Sequence, residues 1–256
     1  MRKDNRILLN GLKDTNIISV PDLTMNEKQI FISYIEITRH LIELNKLFHV
    51  FRCNLKNLLH HFTISTDDSI RRNVSSEITE EDYILINALT INFISSSKSL
   101  IESIETFTKK QLPEADFKTF KKDYLSKIYD ESFSYRFLLH MRNYSQHGHL
   151  PVNIHDQKVY FDLDEILTMP HFDLNKSLRN EIDDLRKDIY THFGNLPHIS
   201  FVFTVADFNL KTIQIYLGLL NSAKLMLKKV NNQVIELLTQ LSHLKNLFNH
   251  LIYQCF

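Results

Sequence analysis

"TMNEKQIFISYIEITRHLIELNKLFHVFRCNLKNLLHHF", residues 24–62, decides the fold. Thr24 and Glu27 form a capping-box pattern, in which each side chain satisfies an orphan backbone N–H at a helix start. Beyond it Ile30, Tyr34, Ile37, Leu41, Leu44, Phe48, Phe51, Leu55, Leu58 and Phe62 recur at alternating spacings of four and three. That is a narrow apolar seam on one long amphipathic helix. No Gly or Pro interrupts it.

The same scarcity of breakers runs through the whole chain. Four Gly and five Pro in 256 residues are too few for the turns of a sheet protein or for a Gly-rich phosphate loop. After a polar stretch at 65–78, read as a loop, Thr79 and Asp82 open a second long helix. Its middle, Ser95-Ser96-Ser97-Lys98-Ser99, either admits a close neighbour or weakens the helix. Pro113 stops it or begins the next one at its first turn. Residues 113–147 read as helical with a break near Asp130. The lysines around Phe117, Phe120, Tyr124 and Ile128, from Lys109 to Lys127, read as a solvated face or as a strip for a phosphate backbone.

After Pro151 the texture changes. Two β-like runs around His155-Asp156-Gln157-Lys158 predict a small hairpin, and 175–193 reads as a charged surface helix. "SFVFTVADFNL", residues 200–210, is ambiguous between strand and helix start. From Asp207 onward Ile213, Tyr216, Leu220, Ala223, Leu227, Val230, Val234, Leu237, Leu241, Leu244, Phe248 and Leu251 keep a heptad seam, whose uncharged flanks favour a bundle helix over an isolated coiled coil. The expectation is an all-α fold: a single domain over residues 1–256, built as a bundle of long antiparallel helices. A small β-hairpin or irregular insertion covers roughly 152–200, after the helix that ends at His147.

Thirty basic and thirty acidic residues cancel, so the chain lacks the basic excess of a dedicated nucleic-acid coat protein. Cys53 and Cys255 form neither a disulfide framework nor a Cys-based zinc pattern. The amino terminus lacks a signal-peptide core, and no apolar run approaches a membrane span, so the cytoplasm and no membrane partner are expected.

One stretch departs from this Leu–Ile–Phe–Lys texture: "LLHMRNYSQHGHLPV", residues 138–152. At 100° per residue, Tyr135, Leu138, Leu139, Arg142 and Gln146 share one face of its helix, and Phe133, Phe137, His140, Tyr144 and His147 the other. Apolar nearly all round, the helix is expected to be central and buried. Burying an arginine there is costly unless its charge is paired or put to use. Gly148 suits the left-handed C′ position and Pro151 follows as an ordinary stop.

The string Arg142-Asn143-Tyr144-Ser145-Gln146-His147 resembles the motif of the HEPN superfamily. Its ribonuclease members carry, on a helical bundle, an Arg, usually a polar residue, and a His four to six positions after the Arg. Tyr135-Arg136-Phe137 before it and Leu150-Pro151 after it are similar to uncharacterised bacterial proteins of this type. The likeness covers about twenty residues. The bare spacing is weak: ten Arg and thirteen His generate about one or two chance matches. A second match exists, Arg186 to His192. Asn143, the central helix and the helix-end placement favour the first, and His149 competes with His147 for the role of the family's His.

The resemblance implies a metal-independent endoribonuclease without cofactor. RNA would be its partner, and a homodimer would join two copies of Arg142, Asn143 and His147 across an interface. A toxin or phage-defence role is implied by analogy, with an antitoxin or regulatory protein as a further partner. An imidazole titrating near neutrality suits proton transfer at a 2′-OH, and a guanidinium grips phosphate oxygens in bidentate fashion. The competing reading is a non-catalytic scaffold or interaction module. There Arg142 pairs with a buried carboxylate such as Asp130 or Glu131, and His147 caps the helix. A metal site at His147, His149 and His155 lacks a carboxylate at ligand spacing.

Overall fold

Helix α1 (Met25–Arg71) buries Ile37, Leu44, Phe51 and Leu58, one residue in seven, with Leu41, Phe48 and Leu55 half-buried between them. This is the seam expected from the heptad spacing. The structure is a computed structural model that describes residues 25–71, 79–155, 158–169, 175–193 and 198–240. Thr24, the expected cap, lies outside the described residues, as do Leu241, Leu244, Phe248 and Leu251 of the last seam. The helix continues through 65–71, which the polar composition assigned to a loop. Polarity without Gly or Pro does not end a helix, and residues 65–71 contain neither.

Helix α2 (Glu80–Gln111) opens at Thr79 and Asp82 as expected, and the two form a capping box. The Asp82 N–H donates to Thr79 Oγ1 at 3.1 Å, and the Thr79 N–H to Asp82 Oδ2 at 3.1 Å. The serine-rich middle stays helical. Ser97 is fully buried, and its Oγ lies 2.9 Å from Thr212 Oγ1 on the last helix, α8 (Phe201–Gln240). The small side chains therefore admit a close neighbour. Among the described residues α2 is the one helix long and apolar enough to cross a membrane, and here its Ile86, Phe93, Ile94, Leu100 and Ile104 are buried against protein.

After Pro113 come α3 (Glu114–Phe120), a π-helical turn (Lys121–Ser126), α4 (Lys127–Glu131) and α5 (Phe133–Gln146). The break falls at Ser132, two residues beyond the expected Asp130. Ser132 Oγ accepts the Tyr135 N–H at 3.2 Å and donates to Asp207 of α8 at 2.7 Å. The π turn carries Tyr124 onto Gly218 of α8. A Cβ at Gly218 would lie 2.4 Å from the Tyr124 ring, so the approach requires glycine.

The expected hairpin forms from β1 (Asn153–His155) and β2 (Lys158–Asp162), antiparallel, with Ile154 opposite Val159. A third strand, β3 (His198–Ser200), pairs with β2, and Phe161 faces Ile199. The ambiguous stretch 200–210 is thus divided, its first residue closing the strand and Phe201 starting α8. Asp162 caps the short α6 (Leu163–Thr168), accepting the N–H groups of Asp164 at 2.9 Å and Glu165 at 3.1 Å. The charged helix is α7 (Lys176–Phe193).

On α8 the buried row is Val205, Phe208, Ile215, Tyr216, Leu219, Ala223 and Met226. Tyr216, Ala223 and Val234 match the expected seam, but Leu220 is exposed and Ile213, Leu227 and Val230 are half-buried. Leucine recurs all around this helix, so spacing alone does not choose the inner face. Burial of Thr212 against Ser97 does.

The fold is all-α, a helical bundle with a small antiparallel sheet inserted after α5. It divides into two compact units. Residues 41–222 form one, cored by rings in sequence: Phe51 on Phe93 (centroids 5.3 Å apart), Phe93 on Phe208 (5.5 Å) and Phe208 on Tyr135 (5.6 Å). Residues 1–40 and 223–256 form the other, whose described part is the start of α1, burying Phe31 and Ile37, and the later half of α8, burying Met226 and Val234.

Candidate functional site at the end of helix α5

Helix α5 buries Tyr135, Phe137, Leu138, Met141 and Tyr144, a single broad face. The expectation of burial nearly all round is corrected here: Leu139, His140 and Arg142 are half-buried, and Asn143, Gln146 and His147 are exposed. The face shared by Tyr135, Leu138, Arg142 and Gln146 passes from core to surface along its length. Arg142 stands at the rim.

The guanidinium of Arg142 is the anomaly of this helix. Its Nε is buried and has no hydrogen-bond partner, and among the described residues no carboxylate pairs with it. Asp130 and Glu131, suggested as partners, do not bind it. A buried donor left unpaired costs desolvation that no partner among the described residues returns. Other arginines in this unit are engaged. Arg136, one and a half turns earlier on α5, donates to the carbonyls of Tyr129 and Asp130 and pairs with Glu181 of α7. Arg186, the arginine of the rival match, also has a buried unpaired Nε. Its two terminal nitrogens are nevertheless held by Asp164 at 3.0 Å and Asp183 at 3.1 Å, and His192 Nδ1 lies 3.0 Å from the Asp188 carbonyl. Both members of the rival match are thus engaged within the fold.

His147 occupies the C-cap, with its N–H donating to the Tyr144 carbonyl at 3.1 Å. Gly148 follows at φ +88°, the left-handed conformation expected of it, and its N–H reaches the Ser145 carbonyl at 3.2 Å. Arg142 and His147 are five residues apart, which on a helix is about 140° of rotation. Asn143 and His147, four apart, lie about 40° from each other and share the exposed side. One copy of α5 thus brings Asn143 and His147 to one face but does not unite Arg142 with His147 on it.

The chain after the helix is held firmly. Asn87 of α2, fully buried, donates to the Val152 carbonyl at 2.9 Å and accepts the Val152 N–H at 2.9 Å. Tyr144 donates to Glu165 Oε1 at 3.2 Å, Asn153 donates to the other oxygen at 2.6 Å, and His149 packs its ring on Tyr144, centroids 4.9 Å apart. Burial, and then the Glu165 charge, push the Tyr144 phenol well above its ordinary pKa, so it remains a donor. These ties set where residues 147–152 run.

A second polar cluster escaped the sequence. The Asn175 amide donates to His140 Nε2 at 3.1 Å, with the Tyr129 hydroxyl 3.4 Å from the same nitrogen. Asn175 Oδ1 also accepts the Leu178 N–H at 3.0 Å, capping α7. Burial, with a smaller contribution from Lys98, lowers the His140 pKa. The cap had a signal, Asn ahead of a helical pattern; nothing in the sequence tied it to His140.

Lys118 pairs with Glu114 at 2.6 Å and Lys121 with Glu105 at 2.8 Å, as on a solvated face, and His61 lies 3.7 Å from Asp82. Among the described residues no three His, Cys, Asp or Glu side chains gather in a metal-holding arrangement. No protein-family model, curated protein or solved structure matches this chain.

Proposed function

We propose that the chain is a metal-independent endoribonuclease of HEPN type, with Arg142, Asn143 and His147 in its site. It would act in the cytoplasm, in the role of a toxin or defence effector. One observation supports the reading: Arg142 is half-buried at the boundary of core and surface, and its guanidinium keeps a buried Nε without a hydrogen-bond partner and no paired carboxylate among the described residues. Its neighbour Arg136 and its rival Arg186 are both paired.

In this reading Arg142 grips a phosphate oxygen and stabilises the charge that grows as the phosphorane forms. His147 takes the proton from the 2′-OH, the O2′–P bond forms, and the P–O5′ bond breaks. The leaving 5′ oxygen needs a proton. The wide angle between Arg142 and His147 on one helix is the reason to draw the second set of groups from another copy. There the base of one protomer and the acid of its partner flank the same phosphate. Exposed Asn143 orients the substrate or holds a phosphate oxygen. The site would be a cleft, which suits a chain of zero net charge.

The test is cleavage of RNA by purified protein in EDTA, with end-group analysis. The wild type yields 2′,3′-cyclic phosphate and 5′-hydroxyl ends. His147→Ala and Arg142→Ala each lower the rate by about 10²-fold or more, the usual contribution of a general base or a charge-stabilising group. Equal cleavage by wild type and a folded Arg142→Ala/His147→Ala variant overturns the proposal and leaves the scaffold reading. The same assay with His149→Ala decides between the two histidines.

A further inference from the structure

Helix α8 carries two apolar rows over its first half. The inner row is buried in the unit formed by residues 41–222. The outer row is Phe203, Ala206, Leu210, Ile213, Leu217 and Leu220, spaced alternately by three and four. Phe203 is 79% exposed, Leu210 63%, Leu217 52% and Leu220 43%. Such spacing forms a seam that fits another helix. Large side chains facing water in a continuous row mark an interaction surface.

We propose that this row is where two copies of the chain pair, α8 against an antiparallel α8. The charge pattern selects the occupant. Residues 201–222 contain one acid, Asp207, and one base, Lys211, and the seam is bordered by Asn209, Gln214 and Asn221. Asp207 is already bonded by Ser132 at 2.7 Å. A partner helix with charged borders finds no complement there, whereas an identical copy meets no row of like charges.

Side-chain size selects the direction. With a two-fold axis between Lys211 and Thr212, Phe203 meets Leu220 of the other copy, Ala206 meets Leu217, and Leu210 meets Ile213. Small then faces large, and each contact occurs twice, as an isologous interface requires. A parallel pair would stack Phe203 on Phe203 beside Ala206 on Ala206, a bulge next to a gap. The row spans about 27 Å at the helical rise. One helix pair of that length buries an area at or below about 1,200 Å², the low end for specific complexes. The dimer is therefore concentration-dependent.

The pairing is argued from α8 alone and does not rest on the ribonuclease reading. Sedimentation velocity on the full chain tests it. The wild type shifts from monomer to dimer as concentration rises through tens of micromolar. Leu210→Glu/Leu217→Glu, both at exposed positions, remains monomeric with unchanged circular dichroism and melting. Disulfide trapping reads the direction in a background with Cys53 and Cys255 replaced by Ser. A mixture of Phe203→Cys and Leu220→Cys chains cross-links between the two variants, and Phe203→Cys alone does not. A wild type monomeric at every concentration, or a dimer that survives the double substitution, overturns the pairing. Self-linking of Phe203→Cys overturns its direction. A dimer that persists in the Leu210→Glu/Leu217→Glu variant and cuts RNA defeats the α8 face alone, and an α8 dimer that cuts nothing defeats the ribonuclease reading alone.

Discussion

Two arginines six residues apart on α5 do opposite things. Arg136 closes the carbonyls at the end of α4 and binds Glu181, so Arg136→Ala should destabilise the fold by about 1.5–3 kcal/mol, the range for hydrogen bonds to a charged group. Arg142→Ala removes no bond and should leave the urea midpoint unchanged or slightly raised. Comparing the two variants by unfolding midpoint separates a structural arginine from one held in reserve. A midpoint for Arg142→Ala that falls as far as that of Arg136→Ala would reveal a structural charge. His140 gives a pH signature. Its folded pKa lies below that of the unfolded chain, so folding favours the neutral ring. That contribution is complete above the ordinary histidine value of about 6.5 and is lost as pH falls from there toward the depressed folded pKa. Urea midpoints measured downward from neutrality should therefore drop more steeply for the wild type than for His140→Gln.

At the scale of elements, the sequence was most informative where chemistry is local. The Thr79–Asp82 box, the Gly148 C′ position, the hairpin and the α7 boundaries are each set by residues a few positions apart. What escaped was set by distant partners. Nothing near Tyr124 says that it packs on Gly218, 94 residues later, and nothing near Asn87 says that it holds Val152. The inner face of α8 was read only in part for the same reason, since Leu surrounds the helix and the deciding contact lies on α2. Gly218→Ala tests the tightest of these approaches. Its methyl group enters the Tyr124 ring, so the expected loss is about 1–3 kcal/mol by overpacking, seen as a lower thermal midpoint. Trimming the ring with Tyr124→Ala should recover part of that loss in the double variant. At the site, Arg142 was singled out because a charge stood among apolar neighbours. The sequence foresaw the cost of placing it there, but proposed carboxylate partners that the fold does not supply. The five-residue spacing that marks the motif also sets Arg142 and His147 about 140° apart on one helix.

For the molecule as a whole, the scarcity of Gly and Pro specified long helices, and long helices raise a difficulty of their own. Smooth rows of Leu, Ile and Phe pack almost equally well after a shift of one turn, about 5.4 Å. The hydroxyls of Ser97 and Thr212, buried against each other at 2.9 Å, make such a shift unfavourable. Any displacement of α2 along α8 strands one of them against hydrocarbon, although Thr212 retains its own helix carbonyl, Phe208, at 3.0 Å. A polar contact inside an apolar seam commonly exchanges some stability for a single register. The pair thus acts as an index mark: it fixes α8 lengthwise, so that Asp207 meets Ser132 at the start of α5 and Gly218 meets Tyr124.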